Sequence, residues 1–267
     1  SRRPRSTLMR ATDLLVPTPR GLYCPPADVF IDPLRAVDRA LVTHGHSDHA
    51  RAGDQSVLAT PETLEAVSVR YGDAFAASRQ AARYGESVQV NDVHVRLLSA
   101  GHVIGSAQVE VKWKGLTMIC TGDYKRRRDP TCAMFEPAPC DVFISEATFA
   151  LPVFRHPDAS DEVCKLLDSV RTFPDRTHLV GVYSFGKAQR VICLLREAGY
   201  GDTIYIHGAL EKLCAMYERL GVPLGPLAPA TLEKGARGES RQFAGKIVLC
   251  PPSATSTPWA QRFPEPV

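Results

Sequence analysis

The sequence lacks the features that direct a chain into or across a membrane. It contains no long apolar segment, and its first residues have no apolar core of the kind that a secretory signal needs. Its eight cysteines are scattered without a Cys-x-x-Cys pair, and Cys120, Cys193 and Cys250 lie in apolar runs where we expect buried side chains. These absences favour a reducing compartment such as the cytoplasm, with no membrane partner.

The sequence also has little excess charge of one sign. The formal net charge is +3 for 267 residues, so charge alone does not indicate a nucleic-acid partner. Arginine outnumbers lysine among the 32 basic residues, which fits either phosphate contacts or a general compositional bias. No internal repeat is present, and the 44% hydrophobic content is ordinary for one large or two smaller globular domains.

Four potential metal ligands lie within six positions, in the pattern His-x-His-x-Asp-His. They are His44, His46, Asp48 and His49, and they follow the apolar run Ala40–Val42, which predicts a short buried strand. Imidazole nitrogens and carboxylate oxygens are the ligands that Zn²⁺ prefers. His44 and His46 point the same way on extended backbone, whereas Asp48 and His49 turn towards a second position. The pattern therefore predicts two neighbouring cations, and a chance cluster of histidines is the weaker interpretation.

A histidine and an aspartate further along the chain stand beside glycines at predicted strand ends. His102 follows Gly101, and Asp123 follows Gly122 after the predicted strand Leu116–Cys120. A small neighbour lets the backbone approach a ligand closely. Each residue alone is a weak signal, but downstream of the histidine pattern we predict both as ligands.

Asp32 allows two interpretations. It closes the apolar run Val29–Ile31 within a stretch of predicted hairpins. Its carboxylate could lie beside the metal site and take part in catalysis, or it could form an ordinary Asp-Pro turn with Pro33. The sequence does not choose between the two.

Two other features resemble functional motifs but are not predicted to be sites. Gly181-x-x-x-x-Gly186-Lys187 nearly spells a phosphate-binding loop, yet Ala188 stands where Ser or Thr should hold Mg²⁺. Its interior predicts a continuing strand rather than a turn. His207 also ends a predicted strand, and we expect it to be a loop residue rather than a ligand.

The pattern of the chain changes near Leu151. Short strands dominate before this point, whereas helix patterns and apolar strands alternate after it, which is typical of βαβ units and a parallel sheet. We therefore predict two domains, 1–150 and 151–267. In the second, the predicted helices are Ser160–Phe173, Gly186–Ala198 and Ala209–Leu220, the predicted strands are Leu179–Tyr183, Thr203–Ile206 and Ile247–Cys250, and Pro223–Gly238 is a predicted surface loop.

Taken together, the motifs resemble those of a known family. The histidine pattern at 44–49, then Gly101-His102, then Thr121-Gly122-Asp123, are similar to the successive motifs of the metallo-β-lactamase fold. Glu146–Phe149 resembles the acidic motif of its β-CASP nuclease branch, and the second half of the chain is similar to the clamp domain of that branch. Finer features at 21–25, 183–190 and 250–254 resemble the bacterial ligase-associated DNA exonucleases.

This resemblance implies an α/β fold, in which a metallo-β-lactamase αββα sandwich carries a β-CASP-like clamp domain with a parallel sheet. It implies two divalent ions, Zn or Mn: one held by His44, His46 and His102, a second by Asp48 and His49, and Asp123 bridging both. It further implies a DNA exonuclease of DNA repair, in which a metal-activated hydroxide attacks the DNA backbone. A DNA ligase and a helicase are the protein partners that the resemblance implies.

The residues in catalytic and binding roles are expectations from the same resemblance and from position. Asp48 would also orient the hydroxide, Glu146 would help to protonate the leaving sugar oxygen, and Asp32 would assist the site. The basic run after Asp123 is predicted to contact phosphates, with a solvated turn as the alternative. The predicted nucleic-acid contacts are Lys125, Arg126, Arg127 and Arg128, and on the clamp Ser184, Lys187 and Arg190.

The chain departs from the β-CASP pattern near its end. That pattern has two further histidines, of which one pairs with the acidic residue represented here by Glu146 and the other completes the second metal. No histidine follows His207, so we expect the C-terminal return of the first domain to be missing. The alternatives are an RNA-processing β-CASP ribonuclease, a small-molecule hydrolase on this fold, and a truncated, non-catalytic nucleic-acid-binding protein.

Overall fold

Alternating apolar residues build two β-sheets in the first half of the chain. The computed structural model describes residues 10–231 and 242–267, and these divide into two compact units between Thr148 and Phe149. The first sheet has the strand order β1-β2-β3-β4-β5-β6 and the second has the order β11-β10-β9-β8-β7. The strands are β1 Val16–Thr18, β2 Gly21–Cys24, β3 Val29–Ile31, β4 Arg39–Leu41, β5 Asp54–Ala59, β6 Ala76–Ala81, β7 Ser87–Val90, β8 Val93–Ser99, β9 Ala107–Trp113, β10 Leu116–Cys120 and β11 Val142–Ile144.

The two sheets pack face to face around one apolar cluster. Leu41 and Leu58 contribute to it from the first sheet, and Val95, Leu97 and Val109 contribute from the second. Because successive side chains of a strand point to opposite faces, the neighbours of these residues lie on the outer faces. The result is a sandwich whose β4 and β5 are buried on both sides.

The outer face of the first sheet is covered by a helix. This helix, α2 Pro61–Tyr71, begins at the N-cap Thr60, whose hydroxyl accepts a hydrogen bond from the Thr63 backbone N–H at 3.2 Å. The predicted helix start with proline at the first position is confirmed. Val67 of α2 packs with Ala40 and Val57 in a second apolar cluster.

The outer face of the second sheet is covered by a loop segment. The short helix α1 Ala11–Leu14 does not serve this purpose, because its Leu14 lies in the cluster between the sheets. The expected second helical layer is not among the elements described for this unit. Instead, the segment around Ala133 and Glu136 offers backbone carbonyls to Ser99 and to the buried Gln108.

The second unit contains a four-stranded sheet whose strands are all parallel, in the order β12-β15-β13-β14. This confirms the predicted alternation of helices and strands. Phe243, Val248 and Phe263 are central to its apolar cluster. Its elements are α3 Ala159–Thr172, β12 His178–Gly181, α4 Lys187–Glu197, β13 Ile204–Ile206, α5 Gly208–Arg219, β14 Leu227–Pro229 and β15 Ile247–Cys250.

Two local predictions for this unit were wrong. The predicted loop at 223–238 contains the strand β14, because an edge position beside β13 accommodates Pro229; its residues 232–238 lie outside the described residues. The stretch after Gly181 does not continue as a strand but turns at 184–186 into α4. His207 lies between β13 and α5, as predicted for a loop residue, and it is the N-cap of α5, where its Nδ1 accepts from the Ala209 N–H at 3.0 Å.

In the described part of the chain, no helix has the length and apolar character needed to cross a membrane.

Candidate metal centre

The predicted ligands come from three loops that follow strands of both sheets. His44, His46, Asp48 and His49 follow β4, His102 follows β8, and Asp123 follows β10. The Ala107 N–H at the start of β9 donates to the carbonyl of Thr43 at 2.8 Å, which ties the histidine loop to the second sheet. The loops therefore meet at one edge of the sandwich.

Four of these residues converge on one point. Ligand atoms of His44, His46, His102 and Asp123 all lie within 4.8 Å of one another. The His44 Nε2 is 2.9 Å from the His46 Nδ1, and the His102 Nε2 is 3.2 Å from that same nitrogen. The Asp123 Oδ2 is 3.9 Å from the His44 Nε2 and 3.6 Å from the His102 Nε2. We call this set the four-residue group.

The spacing of the four-residue group fits a tetrahedral cation. Zinc–nitrogen bonds of about 2.0–2.1 Å imply ligand–ligand separations of about 3.3 Å in a tetrahedron, which lies within the observed spread. Three nitrogen ligands and one carboxylate are also the ligand chemistry that Zn²⁺ prefers. The residues present therefore fit a divalent metal.

The protonation of the histidines favours the same conclusion. Burial, followed by the charge of neighbouring histidines, lowers the pKa of His44 well below its ordinary value. Burial and the charge of His46 lower the pKa of His102 to about 4. The hydrogen bond from His49, followed by the charges of the histidines, holds the pKa of Asp123 below its usual range despite burial. Neutral imidazoles around an ionised carboxylate are the ligating forms.

Asp32 lies beside the four-residue group, where it contacts Thr43, the residue before His44. Its Oδ1 accepts from the Thr43 N–H at 2.8 Å, and its Oδ2 accepts from the Thr43 hydroxyl at 2.6 Å. Because that hydroxyl has only one proton, the His44 Nδ1, 3.0 Å away, is left to donate to the Thr43 oxygen. The proton therefore sits on Nδ1, and the Nε2 lone pair of His44 faces the metal position.

Asp32 also orients His49. The His49 Nδ1 is 2.7 Å from the Asp32 Oδ2, so this nitrogen donates and the Nε2 turns towards Asp123. Burial by itself lowers the pKa of His49, but the hydrogen bonds to Asp123 and Asp32 and their charges outweigh burial and raise it to about 10. In the metal-free chain this imidazole is therefore protonated at neutral pH.

His49 faces the other oxygen of Asp123, and Asp48 lies next to His49. The His49 Nε2 lies 3.4 Å from the Asp123 Oδ1 and 3.8 Å from the Asp48 Oδ2. The Asp48 side chain is 76% exposed, in contrast to the buried His44. The Oδ2 of Asp123 thus faces His44 and His102, whereas its Oδ1 faces His49.

Glu146 lies just after β11, close to the residue that follows β10. Its N–H donates to the hydroxyl of Thr121 at 3.4 Å, and Thr121 stands two positions before Asp123 in the chain. Its carboxylate accepts from the Thr148 N–H at 2.8 Å, which closes a local turn.

The basic run after Asp123 is not uniform. Arg126, Arg127 and Arg128 are exposed, as a surface contact requires. Lys125 is half-buried, and its ammonium contacts Asp129 and the backbone carbonyl of His102. This internal position argues against the predicted phosphate contact of Lys125.

The three predicted contacts of the second unit lie where β12 gives way to α4. Ser184 is half-buried in the turn, Lys187 is the first residue of α4 and exposed, and Arg190 is half-buried one turn later.

Several residues that shape the site had no signal in the sequence. Thr43 is hydrogen-bonded to Asp32, which lies apart from it in the chain. Asp129 accepts a hydrogen bond from Lys125 and belongs to no recognisable motif. Arg70 of α2 donates to the Gly45 carbonyl at 2.6 Å, between the two first histidines. Of these residues, only Arg70 carries a signal in the sequence, as a basic residue near the end of a predicted helix. That signal indicates the end of a helix rather than a functional site.

Comparisons with known proteins found relatives that match most or part of the chain. A probable DNA ligase of Opitutus terrae is 27% identical over 254 residues, which cover 91% of this chain and 23% of that protein. The cleavage and polyadenylation specificity factor subunit 3 of Dictyostelium discoideum is 30% identical over 142 residues, covering 49% of this chain and 18% of that protein. The chain is similar to these two proteins, and its cluster of His44, His46, His102 and Asp123 is made of the residues whose motifs resemble those of the metallo-β-lactamase/β-CASP family.

Other comparisons extend or limit this assignment. Endoribonuclease YSH1 of Eremothecium gossypii is 30% identical over 118 residues, covering 43% of this chain and 15% of that protein. A solved structure from Enterococcus faecalis, described as a protein of unknown function, shares the fold with a TM-score of 0.52 at 14% identity, over 79% of this chain and 57% of the other. No family profile matches the chain. The chain spans less than a quarter of the length of these curated relatives.

Proposed function

We propose that the chain is a metal-dependent phosphodiesterase that removes nucleotides from a DNA end, in DNA repair. The observation that carries this proposal is the four-residue group, in which three imidazoles and a carboxylate converge from loops far apart in the sequence. The relative named as a probable DNA ligase matches 91% of the chain and supports DNA as the substrate.

We propose that the site would hold two divalent ions, Zn or Mn. His44, His46 and His102 would hold the first, and Asp48 and His49 would hold the second. Asp123 would contribute to both, since its Oδ2 lies near His102 and its Oδ1 near His49. Bound divalent cations supply charge that polarises a phosphate and lowers the pKa of a water molecule.

The residues around these ligands have separate proposed roles. Asp32 fixes the ring orientation of His49 and, through Thr43, that of His44. Asp48, whose carboxylate is exposed, would orient the attacking water. Glu146 would help to deliver a proton to the leaving sugar oxygen, through the histidine with which the β-CASP pattern pairs it.

Exposed basic residues would position the nucleic acid. Arg126, Arg127 and Arg128 follow the ligand Asp123 by only a few positions, and guanidinium groups pair well with phosphates. On the second unit we propose Ser184, Lys187 and Arg190 as backbone contacts. We further propose a cytoplasmic location, domains at 1–150 and 151–267 with the second acting as a clamp, and a DNA ligase and a helicase as partners.

A specific observation favours a second candidate, an RNA-processing ribonuclease. Two relatives carry names that refer to polyadenylation or to endoribonuclease activity, and each is 30% identical to the chain, over 49% and 43% of its length. These matches cover a smaller part of the chain than the ligase match, so DNA remains the first proposal.

The test uses purified protein with end-labelled DNA and RNA of matched sequence, with Mn²⁺ or Zn²⁺ added. We expect release of labelled nucleotides from DNA and no release by His44→Ala, because the loss of one imidazole opens the four-residue group. The matched control is His94→Ala, since His94 is an exposed histidine of β8 outside the site, and it should behave as the unchanged protein.

Two results would overturn the proposal. Equal cleavage of matched RNA and DNA would favour the ribonuclease. Tight DNA binding without cleavage with either metal would favour a non-catalytic nucleic-acid-binding protein.

A further inference from the structure

Lys125 makes two internal contacts that its place in a basic run does not suggest. Its Nζ donates to the Asp129 Oδ2 at 2.5 Å and to the backbone carbonyl of His102 at 3.2 Å. The Lys125 side chain is 26% exposed and that of Asp129 is 3% exposed. An ion pair whose carboxylate is almost fully buried is held more firmly than an ion pair on the surface.

Asp129 is itself fixed by a neighbouring turn. Its Oδ1 accepts from the Thr131 N–H at 3.0 Å and from the Thr131 hydroxyl at 2.6 Å. One carboxylate oxygen is thus held by the turn and the other by Lys125. The ammonium of Lys125 is therefore directed inward, towards His102.

The backbone around Lys125 lies directly against the loop that carries His102. The Lys125 N–H donates to the Ala100 carbonyl at 2.9 Å. Gly101 has a φ of +69°, and a Cβ there would lie 2.8 Å from the Phe135 nitrogen and closer still to the Lys125 carbonyl oxygen. Only glycine permits this approach, because a side chain would overlap backbone atoms that cannot move aside.

The backbone N–H and the backbone carbonyl of His102 both take part in hydrogen bonds to side chains. Its N–H donates to the Ser106 hydroxyl at 3.0 Å, and its carbonyl accepts from Lys125. With the peptide groups on either side fixed, the His102 ring lies 3.2 Å from the His46 Nδ1.

We propose that Lys125 and Asp129 form a positioning pair that holds His102 in ligating geometry and so sets the affinity of the four-residue group for metal. This inference rests on the proposed metal-dependent function. It separates Lys125 from its neighbour Arg126, which is exposed and remains a proposed phosphate contact.

The experiment measures Zn²⁺ binding to the purified metal-free chain by isothermal titration calorimetry. Loss of an outer partner of a metal ligand weakens metal binding by about 10- to 100-fold, and we expect a loss of this size for Lys125→Met. Arg126→Met is the matched control: its Zn²⁺ affinity should equal that of the unchanged chain, while its affinity for DNA falls.

A second variant guards against misfolding. Lys125→Met leaves the buried Asp129 carboxylate without its counter-charge, so the double variant Lys125→Met/Asp129→Asn removes both charges together. Circular dichroism checks that each variant is folded, and the same loss of Zn²⁺ affinity is expected for the double variant.

Cobalt binding provides a readout that simple destabilisation would not change. The visible absorption of bound Co²⁺ depends on the number and arrangement of its ligands, so a displaced His102 should alter the shape of the bands at saturation. A less stable but correctly arranged site would give bands of unchanged shape.

Failure of this inference is distinguishable from failure of the proposed function. If the folded double variant keeps the Zn²⁺ affinity and the Co²⁺ bands of the unchanged chain, the positioning role is overturned. If Lys125→Met instead lowers only DNA affinity, as Arg126→Met does, Lys125 is a phosphate contact. If the unchanged chain binds neither Zn²⁺ nor Co²⁺, the proposed function itself is refuted.

Discussion

Asp32 organises two histidines with one carboxylate. It accepts hydrogen bonds from the Thr43 N–H, from the Thr43 hydroxyl and from the His49 ring. Its φ of +44° is in the left-handed region, which aspartate adopts more readily than most residues, so the chain can turn sharply after β3. Asp32 therefore turns the chain and also contacts Thr43 and His49, so both interpretations of the sequence stay compatible with its position.

The first prediction concerns this carboxylate. Asp32→Asn keeps the size of the side chain but removes the charge and one acceptor, so the rings of His44 and His49 lose their fixed orientation. We expect about a 10- to 100-fold weaker affinity for Zn²⁺, measured by calorimetry. Asp92→Asn, at an exposed turn between β7 and β8, is the matched control. Equal affinities of the two variants would contradict the orienting role of Asp32.

At the scale of elements, the pairing of β8 with β9 positions the loop that carries His102. Arg96 and Glu110 are cross-strand partners in this pairing. The Arg96 Nε and Nη2 donate to Glu110 at 3.0 and 2.9 Å, and Lys112 adds a contact at 3.1 Å. Glu110 is only 2% exposed, so a buried charge is held by two cations at the centre of the sheet.

The second prediction is a loss of stability in Glu110→Gln. Hydrogen bonds to charged groups contribute about 1.5–3 kcal/mol each, and Arg96 is partly exposed, so we expect a loss of about 1–3 kcal/mol in the free energy of unfolding at pH 7. Denaturant titration measures it. Glu211→Gln, at an exposed position of α5, should change the value little.

The same variant has a defined pH dependence. Burial by itself raises the pKa of Glu110, but the hydrogen bonds from Arg96 and Lys112 outweigh burial and lower it. A lowered folded-state pKa means that the unfolded chain binds more protons in acid. The stabilisation is therefore complete above the unfolded pKa and is lost as the pH falls through the folded one. The difference between the two proteins should shrink in acid, and a constant difference would argue against the charge contribution.

At the scale of the whole molecule, each of the two compact units has its own apolar cluster. Leu41 and Val109 belong to a cluster of the first unit, and Phe243 and Phe263 belong to that of the second. Units with separate cores commonly unfold as separate transitions. The four-residue group lies entirely in the first unit.

The third prediction uses the two tryptophans, of which Trp113 lies in the first unit and Trp259 in the second. In Trp259→Phe, fluorescence reports the first unit, and in Trp113→Phe it reports the second. A metal at about 100 times its dissociation constant stabilises the state that binds it by about 2.7 kcal/mol. We expect Zn²⁺ to raise the midpoint of thermal unfolding reported by Trp113 and to leave that reported by Trp259 unchanged.

A control and a contrary result complete this test. His44→Ala should abolish the Zn²⁺ effect on the Trp113 transition. An equal rise at both tryptophans would show that the two units unfold together.

The sequence by itself determined the local features of this protein. The two-residue spacing of His44 and His46, the alternating strands and the change to βαβ units follow from the periods of strand and helix, which act over a few residues. The tertiary structure alone decided that Asp32 lies beside the four-residue group and that Lys125 points inward to Asp129 and His102. Those outcomes depend on which strands pair and how the loops close, and no short sequence pattern encodes contacts between residues that lie tens of positions apart. Nor does a short pattern decide whether a charged side chain faces water or a buried partner.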